Sequence, residues 1–278
     1  MDEQMRFFVD ESGQYSFKPF EIELREIYQS NALVEAQKNM KCKYSFRIFL
    51  AGVMAIRDGE TDFDTFCMTL TDISELLGVP KSNIVRSMEQ IVRDLTNPII
   101  FKKITRKRIQ LMGVSPCKAY YDSDKGLMIQ YESVLKPHLL GLKKRYTVLD
   151  GLEVMSITST YSQQLYQLIH SKLQGYYDIT PRGQYVDLLI SDIRFTLNLE
   201  KKLKNINSFK SRILDKFCED IENETLLRIS YKREKVAEGS YDTVRFYINH
   251  ANNIKHGWNG KEPAGFEYLF HSPRQKDN

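Results

Sequence analysis

The stretch that decides the fold reads Asn207-Ser208-Phe209-Lys210-Ser211-Arg212-Ile213-Leu214-Asp215-Lys216-Phe217-Cys218-Glu219-Asp220-Ile221. Its apolar residues at 209, 213, 217 and 221 recur every fourth position, which predicts a helix with one stripe facing a core. Asn207 or Ser208 is expected to cap the helix start with a side-chain oxygen. Lys210, Ser211, Arg212 and Lys216 fall outside the stripe, so the pattern turns them toward solvent or a ligand.

The segments on either side complete a small basic unit. Residues 191–199 predict a short helix, and a lysine-rich break with Lys202 and Lys204 separates it from the long one. Two strand-like runs, 226–232 and 243–248, follow around Gly239-Ser240. The bases along this hairpin are Arg228, Lys232, Arg233 and Lys235. Two helices and a basic hairpin outline a winged helix-turn-helix, which lays its second helix in the major groove of DNA.

The first half of the chain shows the same plan, which predicts an internal duplication. Tyr44-Ser45-Phe46-Arg47-Ile48-Phe49 parallels Tyr161-Ser162-Gln163-Gln164-Leu165-Tyr166, and Thr71-Asp72-Ile73-Ser74 parallels Ser191-Asp192-Ile193-Arg194. Residues 44 and 73 are 29 positions apart, and residues 161 and 193 are 32 apart. Because order and spacing are both kept, duplication explains the match better than coincidence. The predicted fold class is therefore α+β, with two tandem winged helix-turn-helix domains.

The helices of the first copy can be placed from their apolar residues and caps. A helix over 44–54 is apolar nearly all round, and a short helix with Thr71 or Asp72 as its cap ends at Gly78. Ser82 is expected to cap the next helix, whose inward residues are Ile84, Val85, Met88, Ile91 and Val92. Lys81, Asn83 and Arg86 are left outside. A helix over 139–146 is expected to end the domain.

The wing of the first copy is expected to span residues 99–131. Its first part, 99–109, carries no acid and five bases, namely Lys102, Lys103, Arg106, Lys107 and Arg108. Lysines along a strand can simply protect a sheet edge from aggregation. The local charge density favours a face toward nucleic acid or a regulatory role instead.

Length and charge set the domain plan. The 278 residues allow two domains of ordinary size. We expect an acidic arm over 1–30, a first domain over 31–145, a second over 146–250 and a polar tail over 251–278. The arm holds seven acids and three bases, a net charge of −4. The whole chain has a net charge of +4, so the remainder carries +8. A basic body of this kind fits a polyanionic partner.

Several function classes lack their sequence marks. The four cysteines form no Cys-x-x-Cys pair, and neither a long apolar run nor a secretion signal is present, so we expect a cytoplasmic protein without a structural zinc. The five histidines include no His-x-His pair, which disfavours a rolling-circle nicking enzyme. No Gly-x-x-x-x-Gly-Lys loop is present, which disfavours an ATP-driven helicase. The sequence predicts no catalytic residue, metal or cofactor.

With these features the chain resembles a known family, the theta-type plasmid replication initiators. These are iteron-binding Rep proteins with two tandem winged-helix domains. The resemblance covers roughly residues 31–250. It is carried by residues 161–169, 191–194 and 209–215 with Ile221-Glu222, and by Leu70-Thr71-Asp72-Ile73-Ser74-Glu75-Leu76-Leu77-Gly78-Val79. One departure is local: the family's second recognition helix often has a proline after its Leu-Asp or Leu-Glu pair, where Lys216-Phe217 stand here.

The resemblance implies a division of labour between the domains. The second domain would read one part of each origin repeat, and the first would contact the adjacent part and supply the dimer surface. Monomers would bind the direct repeats, and dimers would repress the protein's own promoter. The host replicative helicase and the host initiator are the implied partners. Two rivals stay open: a two-domain winged-helix transcriptional repressor, and a scaffold that uses winged helices to bind proteins.

DNA binding of this kind needs cations for phosphates and donors for base edges. We expect Lys210, Ser211 and Arg212 to reach base edges. Further DNA-binding candidates on the same helix are Asn207, Ser208 and Lys216, and on the matching helix of the first domain Ser82 and Asn83. The predicted phosphate contacts are Lys81, Arg86, Lys102, Lys103, Arg106, Lys107, Lys202, Lys204, Lys232, Arg233 and Lys235.

Overall fold

The fold comes from a computed structural model that describes residues 17–20, 25–57, 59–104, 108–173, 184–234 and 243–250. The chain divides into two compact units, residues 1–146 and 147–278. Each unit is described by itself.

The first unit contains a helix-turn-helix and a four-stranded sheet. Its elements are β1 (Lys18–Pro19), β2 (Ile27–Ser30), α1 (Asn31–Glu35), α2 (Ser45–Met54), β3 (Phe66–Met68), α3 (Leu70–Leu77), α4 (Lys81–Thr96), β4 (Ile99–Ile104), β5 (Ile109–Val114), β6 (Cys117–Asp122), β7 (Gly126–Tyr131), a 3-10 turn (Ser133–Leu135) and α5 (Lys136–Leu139). Strand β8 (Tyr146–Leu149) lies at the boundary of the two units. The sheet order is β1-β3-β7-β6, with β7 antiparallel to both β3 and β6.

Helix α2 is the central element of this unit, as its apolar sequence predicts. Every residue from Ser45 to Met54 except Arg47 is buried. Arg47 instead donates to the carbonyl oxygens of Leu76 and Leu77, both at 3.2 Å, and so caps the end of α3. A side chain at Gly52 would collide with the Phe66 ring and the Tyr131 hydroxyl, so any larger residue would force these two side chains to move.

The predicted first-domain wing is two hairpins, not one. Strands β6 and β7 belong to the sheet, whereas β4 and β5 form a separate two-stranded hairpin, with Ile104 opposite Ile109. At the base of this hairpin, Ile100 of β4 also forms an isolated antiparallel bridge with Gln37. The basic segment that we assigned to the wing therefore lies on an additional hairpin between α4 and the wing proper. We call strands β4 and β5 the extra hairpin.

The second unit repeats the arrangement, and its described residues form no counterpart of the extra hairpin. Its elements are α6 (Gly151–Ser156), α7 (Thr160–His170), β9 (Gln184–Leu189), α8 (Ile190–Thr196), α9 (Ile206–Phe209), a π-helical segment (Lys210–Asp215), α10 (Lys216–Glu224), β10 (Leu227–Glu234) and β11 (Thr243–His250). The sheet order is β10-β11-β9, and both pairings are antiparallel. This order matches β6-β7-β3 of the first unit, which confirms the predicted class of two winged-helix domains.

A hydrogen bond repeats along with the fold. In the first unit the Ser45 hydroxyl donates to Asp94 at 2.9 Å, and in the second the Ser162 hydroxyl donates to Asp220 at 2.6 Å. Ser45 and Ser162 occupy matching places in the sequence repeat, and both carboxylates are buried on the second helix of a helix-turn-helix. The same polar contact therefore ties α2 to α4 in the first unit and α7 to α10 in the second.

Several predicted helix ends are wrong. Thr69, rather than Thr71 or Asp72, caps α3, and Asp72 completes the capping box by accepting from the Thr69 N–H at 2.7 Å. Ser82 does not cap α4, which begins after Pro80 without a side-chain cap. The helix predicted over 139–146 is absent: α5 ends at Leu139 because Leu140 is extended, and Gly141 and Arg145 beyond it have positive φ.

Among the residues that the structure describes, none forms a helix that is both long and apolar enough to cross a membrane. The same residues contain no cluster of three or more His, Cys, Asp or Glu side chains able to hold a metal ion.

Candidate nucleic-acid interface

Residues 206–224 form the recognition helix of the second unit, made of α9, the π-helical segment and α10. Its start is capped by Asn205, not by the predicted Asn207 or Ser208: the Asn205 side-chain oxygen accepts from the N–H groups of Asn207 (2.8 Å) and Ser208 (3.2 Å). The predicted stripe is confirmed, since the residues at 209, 213, 217 and 221 are all buried.

The side chains predicted to read DNA are on the outer face of this helix. Lys210, Ser211 and Arg212 are all exposed, as is Asn207, whereas Ser208 is half-buried. Lys210, Ser211 and Arg212 are the first three residues of the π-helical segment, in which backbone hydrogen bonds join residues five positions apart. An α-helix turns about 100° per residue, so apolar residues spaced by four drift by about 40° at each step. The wider π turn absorbs part of that drift and keeps the stripe on one face.

Arg194 on α8 fixes the turn that leads into the recognition helix. Its guanidinium donates to the carbonyl oxygens of Lys202 at 3.1 Å and Leu203 at 2.9 Å, and its Cζ lies 4.4 Å from the centre of the Phe209 ring. The turn contains two non-glycine residues with positive φ, Asn198 and Leu203. Arg194 therefore satisfies backbone groups that this strained turn leaves without helical partners.

Two contacts anchor the middle of the recognition helix. The Tyr231 hydroxyl of β10 donates to Asp215, and burial together with this bond raises the pKa of Tyr231. The Lys216 ammonium lies 2.7 Å from Asp220, and that hydrogen bond raises the pKa of Lys216. Lys216 is thus held along the helix by a carboxylate, although half of its side chain stays exposed.

The other predicted cations of the second unit differ in their placement. Lys202 and Lys204 are exposed in the turn before the recognition helix. On β10, Lys232 is exposed with its ammonium 3.5 Å from Glu234, and Arg233 is half-buried. Lys235 lies outside the described residues.

In the first unit, the exposed face of α4 carries the matching candidates. Lys81 donates to the Thr71 hydroxyl at 2.7 Å, Ser82 and Arg86 are exposed, and Asn83 is half-buried. Val85 was predicted to face inward, but it is 50% exposed. The buried row is Ile84, Met88, Ile91 and Leu95, and Val85 lies about 100° away from it around the helix axis.

The extra hairpin presents bases and apolar side chains together. Lys103 and Arg108 are exposed, Lys102 is half-buried, and Arg106 and Lys107 lie outside the described residues. Ile104, Ile109 and Leu111 are each more than 60% exposed. Ile104 pairs with Ile109, and Leu111 pairs with Lys102 two positions along, so these three apolar side chains share one face of the hairpin.

Sequence analysis missed a second basic surface of the first unit. Lys41 and Lys43, in the turn before α2, line a groove with Arg86 of α4. The signal was present in the chain as three lysines between residues 38 and 43. Because these lysines precede a buried helix and do not lie on a recognition helix, their spacing alone does not predict a DNA contact.

Comparison with known proteins gives matches over most of the chain. A family model described as initiator replication protein, WH1, matches residues 26–170, and one described as initiator Rep protein, WH2, matches residues 189–248. Among solved structures, a crystal structure of the Pi initiator protein in complex with iteron DNA superposes with a TM-score of 0.62 at 14% identity. The match covers 82% of this chain and 98% of the Pi chain. No curated protein sequence gives a significant match.

Proposed function

The chain belongs to the initiator Rep protein family, and from that premise we propose that it starts plasmid replication by binding the direct repeats of an origin. One observation carries the proposal: Lys210, Ser211 and Arg212 stand exposed at the N-terminal half of a recognition helix whose opposite face is buried. Helix-turn-helix proteins place that part of the helix against base edges in the major groove.

In the second domain, Lys210, Ser211 and Arg212 would contact the base edges. Arginine and lysine donate to guanine O6 and N7, and a serine hydroxyl can donate to or accept from several base edges. Lys202 and Lys204 in the preceding turn would meet phosphates, together with Lys232 on the wing. These contacts need no catalytic group, because binding energy comes from counterion release and base complementarity.

In the first domain, α4 would contact the adjacent part of each repeat. Its exposed face offers Ser82, Val85 and Arg86 in the first two turns. An exposed valine on such a face is suited to the methyl group of thymine, and Arg86 to guanine or phosphate. The exposure of Val85 therefore supports a reading role for this helix as well.

We predict that Arg212→Ala weakens binding to the origin repeats by about 1–3 kcal/mol while affecting random duplex DNA much less. The reason is that a bidentate contact to guanine is lost only where the base is present. Titration of both duplexes by fluorescence anisotropy at one salt concentration measures the two losses.

Arg93→Ala is the matched control for this variant. Arg93 is exposed on α4 and paired with Glu89, so its loss should change neither affinity appreciably. Equal losses on repeat and random DNA in Arg212→Ala would assign Arg212 to a phosphate and contradict its reading role.

We further propose that the chain dimerises through the extra hairpin of the first domain. Its exposed apolar face, Ile104, Ile109 and Leu111, is the kind of surface that proteins cover by association. A two-stranded hairpin also leaves strand edges that a second copy can pair with. In the proposed scheme, dimers bind an inverted repeat at the gene's own promoter and monomers bind the direct repeats.

Ile104→Glu should shift the protein toward monomer by at least about tenfold in the dimer dissociation constant, because a buried carboxylate is costly at an apolar interface. Sedimentation analysis over a concentration series measures the shift. Gln110→Glu is the control, since residue 110 is exposed on the opposite face of the same hairpin. If both variants sediment like the unmodified protein, this hairpin is not the dimer surface.

Protection of the DNA beside the protein's own gene tests the proposed function directly. An initiator should protect direct repeats spaced by about two helical turns. Protection of an inverted repeat alone would favour the rival interpretation, a two-domain repressor.

A further inference from the structure

A groove of about 580 Å³ lies on the first unit between the turn at residues 41–44 and the exposed flank of α4. Its cationic lining is Lys41, Lys43 and Arg86. The remaining lining residues are Cys42, Tyr44, Asn83, Ser87 and Gln90, so none of the eight is acidic.

The three cations are available to an external anion. Lys41 and Arg86 are exposed, and within the described part of the chain neither forms an ion pair with a carboxylate. The Lys43 ammonium lies 5.1 Å from the centre of the Tyr44 ring, and Tyr44 itself is buried. The ring therefore favours one position of this ammonium without neutralising its charge.

Asp94 holds the turn in place against α4. One of its carboxylate oxygens accepts from the N–H groups of Lys41 (2.8 Å) and Cys42 (2.7 Å), and also from the Ser45 hydroxyl. The other oxygen accepts from Gln90 at 2.6 Å. The carboxylate is fully buried, so its four hydrogen bonds order the turn while the lysine side chains remain outside.

The polar residues of α4 that face the groove form one row. Asn83, Arg86, Ser87 and Gln90 follow the i, i+3, i+4, i+7 spacing of a single helix face. This row flanks the face with Ser82 and Val85 that we assign to base reading. An open, acid-free groove beside a recognition helix is complementary in charge to a nucleic-acid backbone.

We infer that this groove binds the phosphate backbone of duplex DNA and sets the depth and register of α4 in the major groove. The inference rests on the proposed DNA-binding function and adds to the flank of α4 a contact from the turn at residues 41–44, which belongs to neither recognition helix. Lys41 and Lys43 meet successive phosphates, and Arg86 closes the groove from the side of α4. Such contacts fix position and raise affinity without distinguishing sequences.

Replacing both lysines tests the inference. Lys41→Gln with Lys43→Gln should weaken binding at least tenfold on origin repeats and on random duplex alike, and should make the slope of log K against log salt shallower by about 1 to 2. The control is Lys143→Gln with Lys144→Gln, which removes the same charge from two exposed lysines that do not line the groove. A loss no greater than the control's would overturn the inference.

Cys42 provides a second readout without substitution. It lines the groove and is partly exposed, whereas Cys67, Cys117 and Cys218 are buried. Saturating DNA should slow alkylation of Cys42 at least fivefold, as measured by mass spectrometry of its peptide. If Cys42 is alkylated at an unchanged rate while DNA is demonstrably bound, the groove does not contact DNA. If the protein shows no preference for origin repeats over random DNA, the proposed function is wrong instead.

Discussion

At the scale of single residues, Arg194 shows how the chain sets the approach of its recognition helix. One guanidinium serves the carbonyl oxygens of Lys202 and Leu203 and also stacks on the Phe209 ring. Lysine carries the same charge but has neither the planar fork nor the stacking surface. The position therefore requires the shape of arginine as well as its charge.

Arg194→Lys should lower the free energy of unfolding by about 1–3 kcal/mol, because at least one turn carbonyl loses its donor and the stacking is lost. Specific DNA binding should weaken with it, since the turn positions Lys210 and Arg212. Urea titration followed by circular dichroism measures the first effect.

The matched change Arg93→Lys alters an exposed i,i+4 pair and should stay within about 0.5 kcal/mol of the unmodified protein. Equal stability of the two variants would show that the Arg194 contacts contribute nothing.

At the scale of elements, the π-helical segment 210–215 combines packing with presentation. It keeps a stripe of four-residue spacing on the core side and turns Lys210 to Arg212 outward. A π turn corresponds to one residue more than an α-helix would hold, and such turns are frequent at functional sites. Lys216-Phe217, where the family often carries a proline, follow this segment directly as the first residues of α10.

Deletion of Ser211 should convert the segment to an ordinary α-helix. The fold should persist, with a melting temperature equal to or above that of the unmodified protein, because the deleted side chain is exposed and the strain of the wide turn is removed. Specific DNA affinity should fall at least tenfold, because the deletion changes the direction in which Arg212 points relative to Lys210 around the helix axis.

Differential scanning fluorimetry and anisotropy titration report the two outcomes separately. Unchanged affinity for origin repeats would show that the π turn has no part in reading DNA.

Sequence predicted the existence of these elements better than their ends. The period of the apolar residues follows from burial, so the long helix and its stripe were found correctly. The caps were not, because Asn205, Asn207 and Ser208 can all accept a backbone hydrogen bond and only the path of the turn selects Asn205. The extra hairpin was merged with the wing because the pairing of β7 with β3 joins residues some sixty positions apart and leaves no local mark.

At the scale of the whole molecule, the repeat was the most informative sequence signal. It aligned Ser45 with Ser162, and these two serines make equivalent bonds to Asp94 and Asp220. The basic groove escaped prediction for a physical reason: its cations come from a turn and a helix separated by some forty residues, and only the folded first unit brings them together.

Affinity for origin DNA should fall steeply with salt. If about four phosphates are neutralised, the slope of log K against log salt is about −3.6, which gives about a 150-fold loss between 50 and 200 mM salt. Anisotropy titrations at four salt concentrations measure it. A slope near zero would instead favour a scaffold that binds proteins through its winged helices.

The buried hydrogen bonds between serine and carboxylate also affect the order in which the chain can fold during its synthesis. Each joins residues far apart in sequence, 49 positions in the first unit and 58 in the second. During synthesis, α2 and α7 therefore cannot form this bond until the carboxylate that each serine contacts, on α4 or α10, has been made. Since residue 94 is translated well before residue 162, the amino-terminal unit can close while the other is still being made, so folding can proceed in vectorial order.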